Sequence, residues 1–303
     1  MRHLYSNLYQ KNMKMCKRLN LLVFILLLIF CTTNSNGQVC KVWPLGVCTS
    51  VTNSNLVKGA GFAFLEESVV NYLTPSLSDA DFEKKLIVLK ENSLKIEICN
   101  GFLPATLKVI GSNVNNDSIM HYAEIVFARA QKAGIQKIVF ASGASRNIPQ
   151  GFSKTIARNQ FISLLKKLGD KAKNYNVILC IEPLNKYETN FINSIPEAIS
   201  IIKEVNNSQI KLCVGYYHLR KENEPLTNII AAEPYLSHIH IAEMPMRTAP
   251  GFNGDDFTPL FGILSKINYK GKIAIECGWQ NITHQINEAY TQLDKQMCEG
   301  YNP

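Results

Sequence analysis

The sequence predicts an α/β fold, a single (β/α)8 or TIM barrel behind an N-terminal leader. Three observations carry this. Eight short apolar runs alternate with amphipathic stretches over about 260 residues, and near-continuous apolar runs are what parallel strands buried on both faces require. Neither a G-x-G-x-x-G loop nor a P-loop follows the first run, so a doubly wound open sheet lacks its phosphate loop. Glu66, Glu182, His240 and Glu276 stand at the ends of apolar runs, and in a barrel that edge holds the active site.

The leader comes first. Lys14, Lys17 and Arg18 precede the run LLVFILLLIFC (21–31), and small and polar residues follow as far as NSNGQ. Positive, then apolar, then small is the order of a secretory signal peptide. The run is short of the ~20 residues that span a bilayer comfortably. Cleavage is expected near Gly37–Gln38, leaving residues 38–303 as the barrel domain, exported to the periplasm or beyond, with no stable membrane span. An uncleaved anchor is the structural alternative. Residues 1–37 contain Arg2, Lys11, Lys14, Lys17 and Arg18 and no acid, so the formal +8 of the chain drops to +3 beyond them. That balance gives no reason to expect a nucleic-acid partner.

The strand candidates are VWPLGVC (42–48), GFAFLE (61–66), LKIEIC (94–99), KIVFA (137–141), VILCIE (177–182), IKLCV (210–214), LSHIHIA (236–242) and KIAIEC (272–277). Between them lie helical patterns at 79–92, 117–134, 153–175, 194–205, 255–267 and 283–297. Ser78 precedes acids in a first turn, Gly134 closes a helix, and Pro196 marks a helix start. Seven of nine cysteines lie beyond the leader, an odd number that leaves at least one thiol free or paired between chains. Cys99, Cys180, Cys213 and Cys277 read as small core residues. Cys40, Cys48 and Cys298 are the candidates for a disulfide in an exported protein. The absence of C-x-x-C argues against a structural zinc site.

Glu182 and Glu276 each end a long apolar run, where a carboxylate is costly unless paired, hydrogen-bonded or metal-bound. A lone strand-end glutamate is usually an ion-pair partner or a cap. Here there are two, with His238-Ile-His240 between them. Alternation along a strand turns both rings to one side; for His238 a packed core role is the preferred reading. Such carboxylates and imidazole suit a divalent ion, Mn²⁺, Mg²⁺, Co²⁺ or Zn²⁺. Two glutamates on opposite sides of a sugar also suit removal and return of a proton next to a carbonyl.

The segments GVCTS (46–50), CNGFLP with LKVIG (99–111), FASGASRNIPQGF (140–152), EPLNKYETNFINS (182–194), HIHIAE (238–243) and IAIECGW (273–279) together resemble the xylose-isomerase-like barrels. More narrowly, they resemble the sugar isomerase/epimerase group of ketose 3-epimerases and hydroxypyruvate isomerases. The resemblance covers residues 42–295 and is not specific for a substrate. It implies Glu182 and Glu276 as acid/base pair and metal ligands, with His240 as a third ligand. It implies Glu188 and His218 at the substrate or beside the catalytic glutamate, and Arg247 on substrate hydroxyls, one residue further from His240 than the pattern expects. Arg146, after the fourth strand, is a substrate-contact candidate, with a surface-paired loop arginine as the equal alternative. Trp279 can stack on a sugar or cap the core.

One departure stands out. The pattern places an aspartate three residues before His218, and here that residue is Gly215. Loss of one anionic oxygen weakens a four-ligand site. Water or substrate can fill the place, another acid such as Glu66 or Glu243 can reach in, or the protein is a non-catalytic sugar-binding relative. The leading expectation is an exported isomerase or epimerase of a small unphosphorylated keto-sugar. A keto-glycoside lyase sharing the enolate step is the variant, and the sugar-binding relative is the second class. A nuclease of the same superfamily would want more histidines than His121, His218, His238, His240 and His284, and a basic surface. Oligomeric state is not legible; barrels of this kind often pair, making a homodimer the open expectation.

Overall fold

The computed structural model describes residues 43–301; the leader, its cleavage point and Cys40 lie outside the described residues. Eight parallel strands close into a barrel in sequence order, with the last paired to the first. They are β1 (Leu45–Cys48), β2 (Phe64–Ser68), β3 (Ile96–Asn100), β4 (Lys137–Phe140), β5 (Ile178–Ile181), β6 (Ile210–Gly215), β7 (Leu236–Ile241) and β8 (Lys272–Ile275). All six helical patterns read from the sequence are helices, the longest being Asn116–Ala133, Lys154–Lys173 and Ile282–Gly300. Ser54–Gly59 and Thr227–Ala231 complete the alternation; both are too short to show a helical period in sequence.

Local chemistry explains where the helices begin. Ser78, Asn115, Ser153, Ser194 and Asn281 each occupy an N-cap, and each side chain accepts a backbone N–H from the first turn. Gly134 ends a helix in the left-handed conformation, at φ 78°, which costs glycine little.

Two of the strands depart from the expected bounds in a way that matters. β2 begins three residues later than read and continues to Ser68, with a register shift between Leu65 and Glu66. Glu66 is therefore inside its strand rather than at the end. β1 begins at Leu45, after Pro44.

Side chains alternate along each strand, and the inward set forms two tiers. The lower tier is a small apolar cluster of Phe64, Ile98, Val139, Cys180, Cys213 and Ala274. Phe64 crosses above Gly46, where an added Cβ would lie 2.3 Å from the ring. Two residues further along, the inward positions become Cys48, Glu66, Glu182, Gly215, His240 and Glu276. The same alternation that packs the core thus carries the acids and the imidazole to the carboxyl-end mouth. A much larger apolar layer lies between strands and helices.

Cys99, Cys180 and Cys213 are buried free thiols, and Cys277 and Cys48 are free and partly buried. Cys298 is disulfide-bonded, whereas Cys48, named with it as a candidate, is not. No described helix is long and apolar enough to cross a membrane.

Candidate active site

Glu66 is fully buried and forked between two histidines of β7. Its Oε2 lies 2.9 Å from Nε2 of His238, and its Oε1 lies 3.0 Å from Nε2 of His240. Burial alone would raise the Glu66 pKa, but the two imidazoles outweigh it and hold the carboxyl far below its usual range. An ionised carboxylate only accepts, so both histidines donate from Nε2.

His238, expected as a packed core histidine, is wholly buried and spends its Nε2–H on Glu66. His240 turns its other nitrogen upward: Nδ1 lies 3.1 Å from Oε1 of Glu182 and 3.3 Å from Oε2 of Glu276. With Nε2 donating, a neutral ring leaves a lone pair on Nδ1, facing two carboxylate oxygens. Three electron-rich atoms at that spacing require something positive among them, either a cation or a proton, on the ring or on Glu182. Burial opposes a proton on the ring, yet Cys213 and the carboxylates of Glu66, Glu276 and Glu182 together raise the His240 pKa above its usual value. The remaining oxygen of Glu182, Oε2, is buried without a partner. Two carboxylates and an imidazole nitrogen form a donor set that fits Mn²⁺, Mg²⁺, Co²⁺ or Zn²⁺.

The two glutamates are pushed apart. Burial raises the Glu182 pKa and Glu276 adds to the rise, with His240 opposing. For Glu276 burial is overcome by His240 and Arg247, and its pKa drops to about 2. Arg247 pairs its Nη2 with Oε2 of Glu276, donates from Nε to the Glu276 carbonyl at 3.2 Å, and reaches Oε1 of Glu188 at 3.3 Å. It sits at φ 58° and lies across the mouth between the two acids.

His218 belongs to a candidate ligand group with Glu182 and Glu276, but its tautomer is wrong for a metal. Its Nδ1 accepts from the backbone N–H of Asn185 at 3.3 Å and faces the Asn185 Nδ2 at 2.8 Å. The amide cannot be turned round, because its Oδ1 accepts from Tyr187 N and its Nδ2 also donates to Glu188. Nδ1 is therefore bare and Nε2 carries the hydrogen, buried and without a partner. Burial and Arg247 push the His218 pKa down to about 3, so its proximity of 3.7 Å to Glu188 is not an ion pair. His218 is a neutral N–H donor aimed into the site, and Asn185, which the sequence reading passed over inside E-P-L-N, fixes it there.

The other expected residues separate. Arg146 is completely buried, donating to the carbonyls of Phe140 at 3.0 Å and Glu182 at 2.6 Å. Burial lowers its pKa to about 10. It ties the end of β4 to the backbone of Glu182 and is neither the surface-paired arginine nor the substrate contact read from the sequence. Trp279 is half-buried against the core, with its Nε1 buried and unpartnered. Glu243 cannot reach in: its carboxylate accepts from Gly251 N at 2.7 Å, Asp255 N at 3.2 Å and Asn253 N.

Gly215 is not a hole waiting for an acid. A Cβ there would lie 2.5 Å from Oε1 of Glu182 and 2.6 Å from Cδ2 of His218. The Glu182 carboxylate leans into that space to reach His240. Cys48 and Cys213, not singled out from the sequence for the site, lie close enough to His240 to join ligand groups, the first with Glu66 and the second with Glu182.

A family model described as xylose isomerase-like TIM barrel matches residues 55–297. The chain belongs to this family. Within it, the chain is similar to an L-ribulose 3-epimerase of Methylomonas sp. (strain DH-1), 28% identical over 147 residues, covering 43% of this chain and 51% of the relative. It is 30% identical over 131 residues to a D-psicose 3-epimerase of Enterocloster bolteae, covering 43% and 42% of the two chains. To the hydroxypyruvate isomerase of Escherichia coli (strain K12) it is 26% identical over 164 residues, covering 53% and 62%. The chain thus spans roughly half the length of these curated relatives. Among solved structures, a 3-keto-D-glucoside 4-epimerase from E. coli superposes with a TM-score of 0.72 at 19% identity, covering 84% of this chain and 99% of that one. At that identity the likeness speaks for the xylose isomerase-like fold alone.

Proposed function

We propose that this xylose isomerase-like barrel is an exported sugar epimerase or isomerase that moves a proton at the carbon next to a carbonyl of an unphosphorylated keto-sugar. The observation that carries the reading is the convergence of Glu182 and Glu276, from the ends of β5 and β8, on the same nitrogen of His240. The epimerases and isomerases among the relatives support the same class.

A divalent ion held by Glu182, His240 and Glu276 would polarise the substrate's carbonyl and neighbouring hydroxyl. The rest falls to the chain. One glutamate breaks the C–H bond by taking the proton, and the electron pair passes into the enediolate. The other glutamate, protonated, returns a proton from the opposite face. The opposed pKa directions of the two match those roles. His218 offers its Nε2–H to a developing oxyanion without any charge of its own to lose. Arg247 and Glu188 bind hydroxyls once their mutual contact opens, and Trp279 packs against the sugar. A relic that merely binds sugar is the poorer account, because the space above Gly215 is used by the Glu182 carboxylate rather than abandoned.

The test is exchange in D₂O. The chain from Gln38, loaded with Mn²⁺ or Co²⁺, is incubated with unphosphorylated ketoses and keto-glycosides, and proton NMR follows loss of the signal next to the carbonyl. Exchange is expected with at least one ketose, and Glu182→Gln or Glu276→Gln is expected to slow it by about 10²–10⁴-fold. Exchange that persists in both variants overturns the acid/base assignment, and no exchange with any member of the panel overturns the proposed activity.

A further inference from the structure

Proton transfer by Glu182 and Glu276 leaves Glu66 without a task, although it is fully buried at the barrel mouth. It touches neither the opening nor Glu182. Each of its oxygens faces an imidazole, at 2.9 and 3.0 Å, so the carboxylate is engaged behind His240 rather than at the point where Glu182 and Glu276 converge. The other acids near the mouth are committed elsewhere. Glu243 binds its own loop, and Glu188 faces Asn185 and Arg247. Glu67, the next residue on β2, accepts from Val51 N and Ser68 N.

Gly215 removes an anionic oxygen that the family pattern supplies from β6, and a side chain cannot be put back there without moving Glu182. Among the described residues, Glu66 is the fixed negative charge that remains in direct contact with a proposed ligand. Its position behind His240 has a definite consequence. By holding Nε2–H it leaves Nδ1 as the electron-pair donor, turned to the point where Glu182 and Glu276 converge. A carboxylate on the far nitrogen of a ligating histidine fixes its tautomer and raises its basicity.

Resting on the cation-site reading above, we infer that Glu66 is the positioning residue of that site, supplying from β2 the charge and the tautomer control that compensate for Gly215. His238 serves Glu66 in turn, by occupying its second oxygen and holding the carboxylate in the plane that His240 needs. His238, level with Cys213 of the lower tier, is therefore part of the site's support.

The experiment measures binding and tautomer rather than turnover. Metal-free protein from Gln38 is titrated with Mn²⁺ by calorimetry, as wild type, Glu66→Gln and Glu66→Asp. Glu66→Gln, which keeps the size and removes the charge, is expected to weaken Mn²⁺ by about 10–100-fold, measured on metal-free variant protein that still shows a cooperative thermal transition. Glu66→Asp is expected to recover part of the loss. In Zn²⁺-loaded wild type, the ¹⁵N shifts of His240 are expected to show a protonated Nε2 and a metal-bound Nδ1. Equal Mn²⁺ affinity in wild type and Glu66→Gln, or the reversed tautomer in the wild type, overturns the inference. The tautomer reading needs no variant, so it decides the matter even where Glu66→Gln fails to fold. Wild type that takes up no Mn²⁺ overturns the cation site together with this inference. Glu66-dependent Mn²⁺ binding without D₂O exchange upholds the inference and overturns only the activity.

Discussion

His218 and His240 both lie beside Glu182 and Glu276, yet burial keeps the first neutral, while the carboxylates around the second favour a proton or a metal there. The His218 ring has a pH signature. Its ordinary pKa is 6.5 and its folded value is about 3. Between those values the unfolded chain binds the proton and the folded chain does not, so stability falls as pH drops through that window and the loss is complete near the lower value. One such proton is worth up to about 1.4 kcal/mol per pH unit. Urea midpoints at pH 7 and pH 4 are expected to differ less in His218→Asn than in the wild type; an equal difference would mean that the ring is not buried neutral. Asn185→Leu removes the side-chain donor to Nδ1 and frees the tautomer. It is expected to slow exchange by about 10-fold or more, the scale of a lost positioning contact, with Mn²⁺ affinity unchanged in calorimetry.

Elements meet at Gly215, where β6 passes beneath the Glu182 side chain from β5. Gly215→Ala would put a Cβ 2.5 Å from Oε1 of Glu182. The carboxylate end can swing away, so the expected damage is to the site rather than the fold. Mn²⁺ affinity should fall several-fold while the unfolding midpoint stays within about 1 kcal/mol. Gly215→Asp is expected to displace Glu182 in the same way and not simply to add a ligand. Tighter Mn²⁺ binding by Gly215→Asp than by wild type would show that the space can be shared. On the outer ring, Ser153 caps the helix Lys154–Lys173 by accepting Ile156 N. Ser153→Ala should cost about 1 kcal/mol by chemical denaturation, with no change in metal binding.

For the whole molecule, the barrel accounts for why weak sequence signals add up to a site. Acids on β2, β5 and β8 are far apart in sequence, and closing the sheet brings each to His240 on β7. Ligands that bind this arrangement and not the unfolded chain stabilise it by mass action: at 100 times the Kd the gain is about 2.7 kcal/mol. A thermal midpoint that climbs with Mn²⁺ in the wild type and not in Glu182→Gln is the expected result. Export belongs to this scale too. Expression of the full chain in a bacterial host, followed by N-terminal sequencing of the secreted or periplasmic product, is expected to find Gln38 first. Retention of the intact leader in a membrane fraction would favour an uncleaved anchor.

The sequence by itself determined the architecture and the main cast. Apolar runs of strand length at regular intervals admit few arrangements, and a strand-end glutamate is legible because an isolated carboxylate after buried residues needs a reason. Glu182, His240 and Glu276 were identifiable that way, whereas the oddity of Gly215 shows only against the pattern of the family the sequence resembles. Only the tertiary structure decided what lies next to what. The fork of Glu66 onto two histidines depends on closure of the barrel, which brings β2 within reach of β7, three strands away around the ring. Asn185 acquires its role from a ring on the short helix that follows β6, and Arg146 loses its expected one by folding under the backbone it supports. Hydrogen-bond direction sets tautomers and charges, and it exists only once distant donors and acceptors are in contact.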